Sequence, residues 1–177
     1  MSINHSYKNG IATITISRPE KLNALDPSHL QQLRAHIAYY DAMAEVRALI
    51  LTGDGEKAFC VGADLTATMQ ESSIAESFSL SLEQSGERGF YIRLFDLSSL
   101  KRRKPLIAAI NGYCLGGGLE IALQCDLMIA SETAQFGLPE VIVSSLPGAG
   151  GVPNLLRSIP RAQAMHMLLT GERIDAH

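Results

Sequence analysis

Hydrophobic and polar residues alternate between Ile11 and Ser17, and this pattern predicts a β-strand with one buried face. The dipeptide Asn9-Gly10 directly before it favours a tight hairpin turn, because both residues accept positive φ. Asp26-Pro27 is typical of a helix N-cap and first helical position. Apolar residues follow on one face of that predicted helix: Leu30, Leu33, Ile37 and Tyr40. The chain therefore opens with a hairpin and an amphipathic helix.

Three short apolar runs have the length of buried strands. They are Arg47 to Thr52, Leu106 to Ile110 and Leu127 to Ala130. Helices are predicted at Leu119 to Cys125, Pro153 to Ile159 and Arg161 to Thr170, the last stopped by Gly171. No shift in composition resembles a linker, so residues 1–177 are predicted to form a single domain.

Composition and charge narrow the classes of partner. The chain is 46% hydrophobic and 19% charged, which excludes whole-chain disorder and predicts a packed domain. A net charge of -3 offers no attraction to nucleic acid or to an anionic membrane, so a small-molecule partner is favoured. Cys60, Cys114 and Cys125 are too widely spaced for a zinc site. Because no apolar stretch suits a signal peptide or a membrane span, the protein is predicted to be cytoplasmic.

A glycine run at Gly116-Gly117-Gly118 follows an apolar strand and leads into a predicted helix. It lacks both standard nucleotide-binding signatures. Backbone N–H groups at such a helix start can stabilise an oxyanion that forms during a reaction, although glycines there also allow close packing of helix and strand. Glu120 and Glu140 are candidate acid–base carboxylates, with helix capping as the alternative for Glu120. Their spacing in the sequence does not show whether they meet.

Four separated motifs occur together in a fixed order. They are Arg18-Pro-Glu-Lys-Leu-Asn-Ala-Leu25, Ala58-Phe-Cys-Val-Gly-Ala-Asp-Leu65, Ile107-Ala-Ala-Ile-Asn-Gly-Tyr-Cys-Leu-Gly-Gly-Gly-Leu-Glu120 and Phe136-Gly-Leu-Pro-Glu-Val141. With these motifs the chain resembles the crotonase, or enoyl-CoA hydratase/isomerase, family. The resemblance implies an α/β fold built as a crotonase-like spiral of repeated strand-strand-helix units. The family normally continues into further helices beyond the position of His177, so a C-terminal helical part is expected to be missing.

The resemblance also implies acyl-CoA thioester chemistry. The backbone N–H groups of Ala63 and Gly117 match the family's oxyanion hole, which holds the thioester oxygen. Glu120 matches the base that activates water for attack on Cβ, and Glu140 matches the acid that delivers a proton to Cα. Gly148 matches a position whose N–H helps to hold the water. No metal and no redox cofactor is expected, because coenzyme A enters as part of the substrate.

Coenzyme A is expected to lie along two neighbouring segments. The matching positions are Lys21, Leu22, Ala24, Ala63, Asp64, Leu65, Thr66 and Gly117. Lys21 could meet a phosphate as a point charge, although an exposed loop lysine is more often simply solvated. Where the family often continues Gly-Gly-Thr-Gln-Arg-Leu, this chain has Gly150-Gly-Val-Pro-Asn-Leu155, and the proline predicts a later helix start. The family's usual assembly predicts a homo-oligomer, a trimer or a hexamer.

Two glutamates at the matching positions favour a hydratase that converts 2-trans-enoyl-CoA to 3-hydroxyacyl-CoA. An isomerase or a specialised acyl-CoA dehydratase of the same family is the alternative, since isomerases often keep only one of these carboxylates. A non-catalytic scaffold is the alternative from another class, with the basic run Lys101-Arg-Arg-Lys104 binding RNA. The competing interpretation of that run is a solvated helix end before Pro105.

Overall fold

The computed structural model describes residues 2–65 and 94–177, and it begins with the predicted hairpin. β1 (Ser2–Lys8) and β2 (Ile11–Ser17) pair antiparallel. The turn between them has Asn9 at φ 53° and Gly10 at φ 82°. Positive φ at both residues gives the turn the twist of the flanking strands. Every second residue of β2 is buried, so the alternation predicted this strand correctly.

Together with β1 and β2, the other described strands form two sheets. They are β3 (Ala48–Gly53), β4 (Ala58–Cys60), β5 (Leu106–Ile110), β6 (Tyr113–Leu115), β7 (Leu127–Ala130), β8 (Gln135–Gly137) and β9 (Ile174–Asp175). The large sheet has the order β1-β2-β3-β5-β7, and the small sheet has the order β4-β6-β8-β9. The three predicted apolar strands are confirmed as β3, β5 and β7, with β3 shifted by one residue.

From β3 to β8, successive strands alternate between the two sheets, and helices follow the later pairs. The described helices are α1 (Pro27–Ala42), α2 (Gly117–Ala122), α3 (Gly151–Ser158) and α4 (Arg161–Thr170). β3 lies in the large sheet and β4 in the small one, and the same holds for β5 with β6 and for β7 with β8. α2 follows β6, while α3 and α4 follow β8. The predicted α/β spiral of strand-strand-helix units is therefore confirmed.

Two helix starts differ from the prediction, whereas α4 and its stop at Gly171 (φ 71°) are confirmed. α2 begins at Gly117 rather than at Leu119. α3 begins at Gly151, so the expectation of a later start is wrong. Pro153 lies in the first turn of α3, where a backbone N–H has no acceptor within the helix, and the first turn therefore accommodates it. No helix within residues 2–65 and 94–177 is long and apolar enough to cross a membrane.

α1 covers the large sheet with the apolar face that the sequence predicts. Leu30, Leu33 and Ile37 are fully buried where α1 packs on β1, β2 and β3. Asp26 caps the helix, because its carboxylate accepts a hydrogen bond from the His29 N–H at 3.0 Å. A side-chain cap of this kind stabilises a helix by about 1 kcal/mol.

The basic run at residues 101–104 lies outside any helix, so its interpretation as a solvated helix end is wrong. Arg102 forms an ion pair with Asp126 at 2.8 Å. Lys104 donates from Nζ to the carbonyl oxygen of Tyr40 at 3.1 Å. Two of the four basic side chains therefore hold the segment before β5 against its neighbours, which leaves a weaker basic surface than the sequence alone indicates.

Candidate active site

Glycines allow the loop after β4 to lie directly against the start of α2. A Cβ on Gly118 would overlap the carbonyl oxygen of Cys60. A Cβ on Gly62 would lie 2.8 Å from the backbone nitrogen of Gly117, and Gly62 adopts φ +92°, which L side chains rarely adopt. Close packing of helix and strand, one of the two interpretations of the glycine run, is thus present in the structure.

The same contact brings together the two backbone N–H groups that match an oxyanion hole. Ala63 and Leu25 form a parallel bridge, in which the Leu25 N–H donates to the Gly62 carbonyl at 2.8 Å and the Asp64 N–H donates to the Leu25 carbonyl at 2.9 Å. Since backbone N–H groups alternate in direction along an extended chain, the N–H of Ala63 points to the opposite side. Gly117 is the first residue of α2, so its N–H has no acceptor within the helix.

A buried charge network fixes the loop that carries Ala63. Arg18 donates from Nη2 to Asp64 Oδ2 at 3.0 Å and from Nη1 to the Ala24 carbonyl at 2.7 Å. Lys21 Nζ lies 2.7 Å from the same oxygen of Asp64. Arg18 and Asp64 are only 6% and 5% exposed, so their ion pair is shielded from solvent. Lys21, which the sequence offers to a phosphate, is therefore already paired with Asp64.

Glu120 on α2 is buried to 2% exposure, and its carboxylate is oriented by backbone amides. Its Oε1 accepts hydrogen bonds from the N–H groups of Ala149 at 2.7 Å and Gly151 at 2.9 Å. Burial raises the pKa of Glu120 above its usual value, whereas these two amides and that of Gly148 act in the opposite direction. The negative charge of Asp96 raises the pKa further. The amides thus favour the ionised form of a carboxylate whose pKa burial raises.

Glu140 has a contrasting environment in the 3₁₀ turn Pro139–Val143. Its Oε2 is buried, and no residue in the described part of the chain donates a hydrogen bond to it. Burial, with a smaller contribution from the charge of Glu120, raises the pKa of Glu140 to about 7. A carboxyl group with such a pKa keeps its proton in about half of the molecules at neutral pH.

The two glutamates, whose proximity the sequence leaves open, lie close enough to interact. The charge of Glu120 acts on Glu140, and both residues border Gly116. The Glu120 N–H donates to the Gly116 carbonyl at 3.0 Å. A Cβ on Gly116 would lie 3.3 Å from Glu140 Oε1. The arrangement places two carboxylates with different proton affinities beside one glycine turn; their roles as base and acid stay predictions.

The remaining predicted site residues lie around this pair. Gly148 lies in the loop before α3, and its N–H acts on the carboxylate of Glu120. Leu22 is partly exposed and Leu65 is 56% exposed, on the two segments that the bridge to Ala63 joins. Ala24 and Asp64 are both buried, and both contact Arg18 in the network that fixes the loop carrying Ala63. Thr66 lies outside the described residues, and contacts of all these positions with coenzyme A stay predictions.

Sequence reasoning missed the polar groups behind Glu120. Gln124 donates from Nε2 to the Glu120 carbonyl at 2.9 Å and to the Ala149 carbonyl at 3.3 Å. One signal for Gln124 is its place four residues after Glu120, because the helix predicted over Leu119 to Cys125 would bring residues at that spacing onto one face; α2 ends at Ala122, and Gln124 lies in the turn that follows it. Asp96, whose charge acts on Glu120, follows a stretch without clear periodicity and gives no such signal.

Comparison with known proteins points to one family. The profile described as enoyl-CoA hydratase/isomerase matches residues 6–177. The (E)-benzylidenesuccinyl-CoA hydratase of Thauera aromatica is 44% identical over 176 residues, which are 99% of this chain and 65% of that protein. The mitochondrial enoyl-CoA hydratase of Pongo abelii is 39% identical over 168 residues, which are 95% of this chain and 54% of that protein.

Solved structures give the same result for the fold. The enoyl-CoA hydratase of Bacillus anthracis superposes on this chain with a TM-score of 0.83 at 34% sequence identity. The superposed region covers 99% of this chain and 65% of the hydratase chain. The chain thus spans 54% of the Pongo abelii relative and 65% of the Thauera aromatica relative.

Proposed function

The chain belongs to the enoyl-CoA hydratase/isomerase family, and from that premise we propose that it is a hydro-lyase acting on acyl-CoA thioesters. The reaction would add water reversibly across the 2,3 double bond of a 2-trans-enoyl-CoA and give the 3-hydroxyacyl-CoA. The observation that carries the proposal is the pair of neighbouring carboxylates, that of buried Glu120 with backbone donors and that of partly buried Glu140 with a buried oxygen that lacks one. Water addition needs one group that accepts a proton and another that donates one.

In the proposed reaction the amides of Ala63 and Gly117 hold the thioester oxygen. Addition of water to Cβ develops an enolate, whose negative charge is concentrated on that oxygen. Fixed N–H donors stabilise this charge more in the transition state than in the ground state, and loss of one such donor typically costs roughly 3 kcal/mol. The tight contact between Gly62 and the start of α2 supports this role, because it limits reorganisation of the two amides.

The two glutamates divide the proton transfers. Glu120 takes a proton from water as the water oxygen bonds to Cβ, and the π electrons of the double bond move toward the thioester. Glu140 then gives its proton to Cα, which leaves Glu120 protonated and Glu140 ionised. The amides around Glu120 favour its ionised form at the start, and the raised pKa of Glu140 leaves a proton to deliver. Dehydration reverses these roles.

The substrate side of the proposal rests on the segments around Leu22 and Leu65. Coenzyme A would lie along them as part of the substrate, and the proposed acid–base chemistry calls for neither a metal nor a redox cofactor. Lys21 would reach a phosphate only by sharing or leaving Asp64. Assembly into a homo-trimer or homo-hexamer and residence in the cytoplasm stay predictions.

The test is an absorbance assay with crotonyl-CoA, because hydration removes the ultraviolet band of the conjugated thioester. We expect turnover by the wild-type chain and a loss of at least about a hundredfold in both Glu120→Gln and Glu140→Gln, since each variant lacks one proton-transfer group. The matched control is Glu132→Gln, which changes an exposed glutamate before β8 and should leave the rate unchanged.

The outcomes separate the proposal from its alternatives. Acyl-CoA turnover that survives in one of the two variants would favour an isomerase. In that case a 3-enoyl-CoA would be the substrate, and the enzyme would move its double bond. No turnover of enoyl-CoA by a folded chain, together with salt-dependent retention of RNA at physiological ionic strength, would favour the scaffold alternative.

A further inference from the structure

The side-chain amide of Gln124 connects three segments of the site. Its Nε2 lies within hydrogen-bond distance of the carbonyl oxygens of Glu120 at 2.9 Å, Phe95 at 3.0 Å and Ala149 at 3.3 Å, and its two N–H groups are shared among these three acceptors. Its Oε1 accepts a hydrogen bond from the Leu97 N–H at 2.6 Å. One amide therefore joins α2, the segment at residues 95–97 and the loop before α3.

One of these contacts acts on the residue that orients Glu120. Ala149 donates its N–H to Glu120 Oε1 at 2.7 Å, while its carbonyl accepts from Gln124 at 3.3 Å. Ala149 is thereby held at both its backbone polar groups, once by the carboxylate and once by the amide. Gly151, the other donor to Oε1, lies two residues farther along, at the first position of α3. The position of both donors thus depends on how firmly this loop is held to α2.

We propose that Gln124 is a positioning residue for Glu120, acting through the loop at residues 148–151. Without its amide, the hydrogen bonds to the Glu120 carboxylate would be the remaining ones of this loop with α2 in the described part of the chain, and the N–H groups would be aligned less well on Oε1. Poorer alignment weakens the stabilisation of the ionised carboxylate. The proposal deepens the hydratase mechanism and rests on it for the catalytic consequence, but not for the effect on the carboxylate.

The surroundings of Gln124 permit a clean substitution. A cavity of about 700 Å³ is lined by Gln124, Asp96 and Ala149 among others, so the side chain is not enclosed by the core on all sides. Gln124→Met keeps nearly the same length and volume and removes both the donor and the oxygen acceptor. The matched control is Gln32→Met, because Gln32 on α1 is a partly exposed glutamine whose amide contacts only Ser28 among the described residues.

The first measurement needs no substrate. Carbon-detected NMR titration of the Glu120 carboxyl group in the free protein should show a higher pKa in Gln124→Met than in the wild type, and no change in Gln32→Met. Asp96 acts on Glu120 by its charge, and Glu140 is coupled to Glu120, so the comparison is repeated in Asp96→Asn and in Glu140→Gln backgrounds. An unchanged Glu120 titration in Gln124→Met would overturn the proposal.

The second measurement uses the crotonyl-CoA assay. We expect kcat to fall about tenfold in Gln124→Met with KM nearly unchanged, because the group that is misplaced handles the proton and not the substrate. The acidic limb of the pH profile should also move to higher pH, a change that a loss of stability alone would not produce. An equal fall of kcat at every pH, without movement of the limb, would contradict the positioning role.

A second variant keeps the test decisive if Gln124→Met fails to fold. Gln124→Leu likewise removes the donor to Ala149 and the acceptor for the Leu97 N–H, and it adds no charge beside Glu120. It should raise the pKa of Glu120 in the same direction. If the Glu120 titration shifts in the Gln124 variants while the wild-type chain hydrates no enoyl-CoA, the positioning role is upheld and the proposed function is overturned. If the wild-type chain hydrates enoyl-CoA and the Glu120 titration does not shift in the Gln124 variants, the proposed function is upheld and the positioning role is overturned.

Discussion

The loop at residues 148–151 and the 3₁₀ turn Pro139–Val143 each border one glutamate of the site, and they offer its carboxylate different hydrogen-bond partners. The loop supplies backbone N–H groups to Glu120, whereas an oxygen of Glu140 in the 3₁₀ turn is buried without a donor. Burial raises the pKa of both carboxyl groups, so burial alone does not distinguish them. The difference teaches that backbone amides oppose the effect of burial on the pKa of Glu120, whereas the opposing contribution at Glu140 comes from its own backbone N–H and leaves a pKa of about 7.

The largest expected effect comes from removing the charge of Glu140, and it is an effect on the free energy of unfolding. The pKa of Glu140 is raised from 4.5 to about 7 in the folded chain, so the folded state binds this proton more tightly than the unfolded state does. The resulting stabilisation is complete below about pH 4.5 and is lost as the pH rises through 7. Glu140→Gln stays uncharged, and its free energy of unfolding should exceed that of the wild type by up to about 3 kcal/mol at pH 8.

Urea unfolding at pH 8 and at pH 4 checks this prediction. At pH 4 the two proteins should be equally stable, because Glu140 is protonated in both the folded and the unfolded state. Exposed Glu132→Gln serves as the control for removing one negative charge. A difference of the same size at both pH values would show that the environment of Glu140 does not penalise its charge.

A smaller effect is expected when the donors are pushed away from Glu120. A Cβ on Gly151 would lie 2.9 Å from Glu120 Oε1 and 3.0 Å from its Cγ. Gly151→Ala should therefore displace the carboxylate, make its environment resemble that of Glu140, and lower kcat for crotonyl-CoA about thirtyfold. Gly137→Ala is the matched control, since the nearest atoms to its Cβ would be side-chain atoms of Arg173 at 3.0 Å and Leu115 at 3.3 Å and the Arg173 Cα at 3.7 Å, with no atom of Glu120 nearer than these. Equal losses in both variants would contradict the role of the loop.

The smallest effect concerns the charge behind Glu120. Asp96 raises the pKa of Glu120, so Asp96→Asn should lower it and move the acidic limb of the pH profile to lower pH. This shift should be smaller than the opposite shift in Gly151→Ala, because a charge is removed without loss of a hydrogen bond to the carboxylate. Asp175→Asn in β9 provides the control, and a limb that moves upward in Asp96→Asn would contradict the assignment.

Much of the fold was predictable because its regular parts carry a period. Seven alternating residues in β2 and the apolar face of α1 are long enough to identify a strand and a helix. The strands β4, β6 and β8 have three residues each, too few for a period, and sequence patterns gave no bounds for them. Their place is set by pairing with partners that are distant in the chain.

The candidate site also has a part that local sequence predicts and a part that it does not. Motif resemblance named Glu120, Glu140 and the two amides, because each stands in a recognisable local sequence. It could not show that Glu120 is held by amides located 29 and 31 positions away, nor that Gln124 connects them. These contacts depend on how α2 packs against the loop before α3, which no local pattern encodes.

The alternation of strands between two sheets has a consequence for the order in which the protein acquires its chemistry. Ala63 belongs to the first pair of strands, Gly117 and Glu120 to the second, and Glu140 with the loop before α3 to the third. Contacts between such distant parts of a chain form slowly, because long loops must close first. As the chain leaves the ribosome, Glu120 emerges before every amide that orients it, so a nascent chain holds a carboxylate destined for burial whose partners have yet to be synthesised.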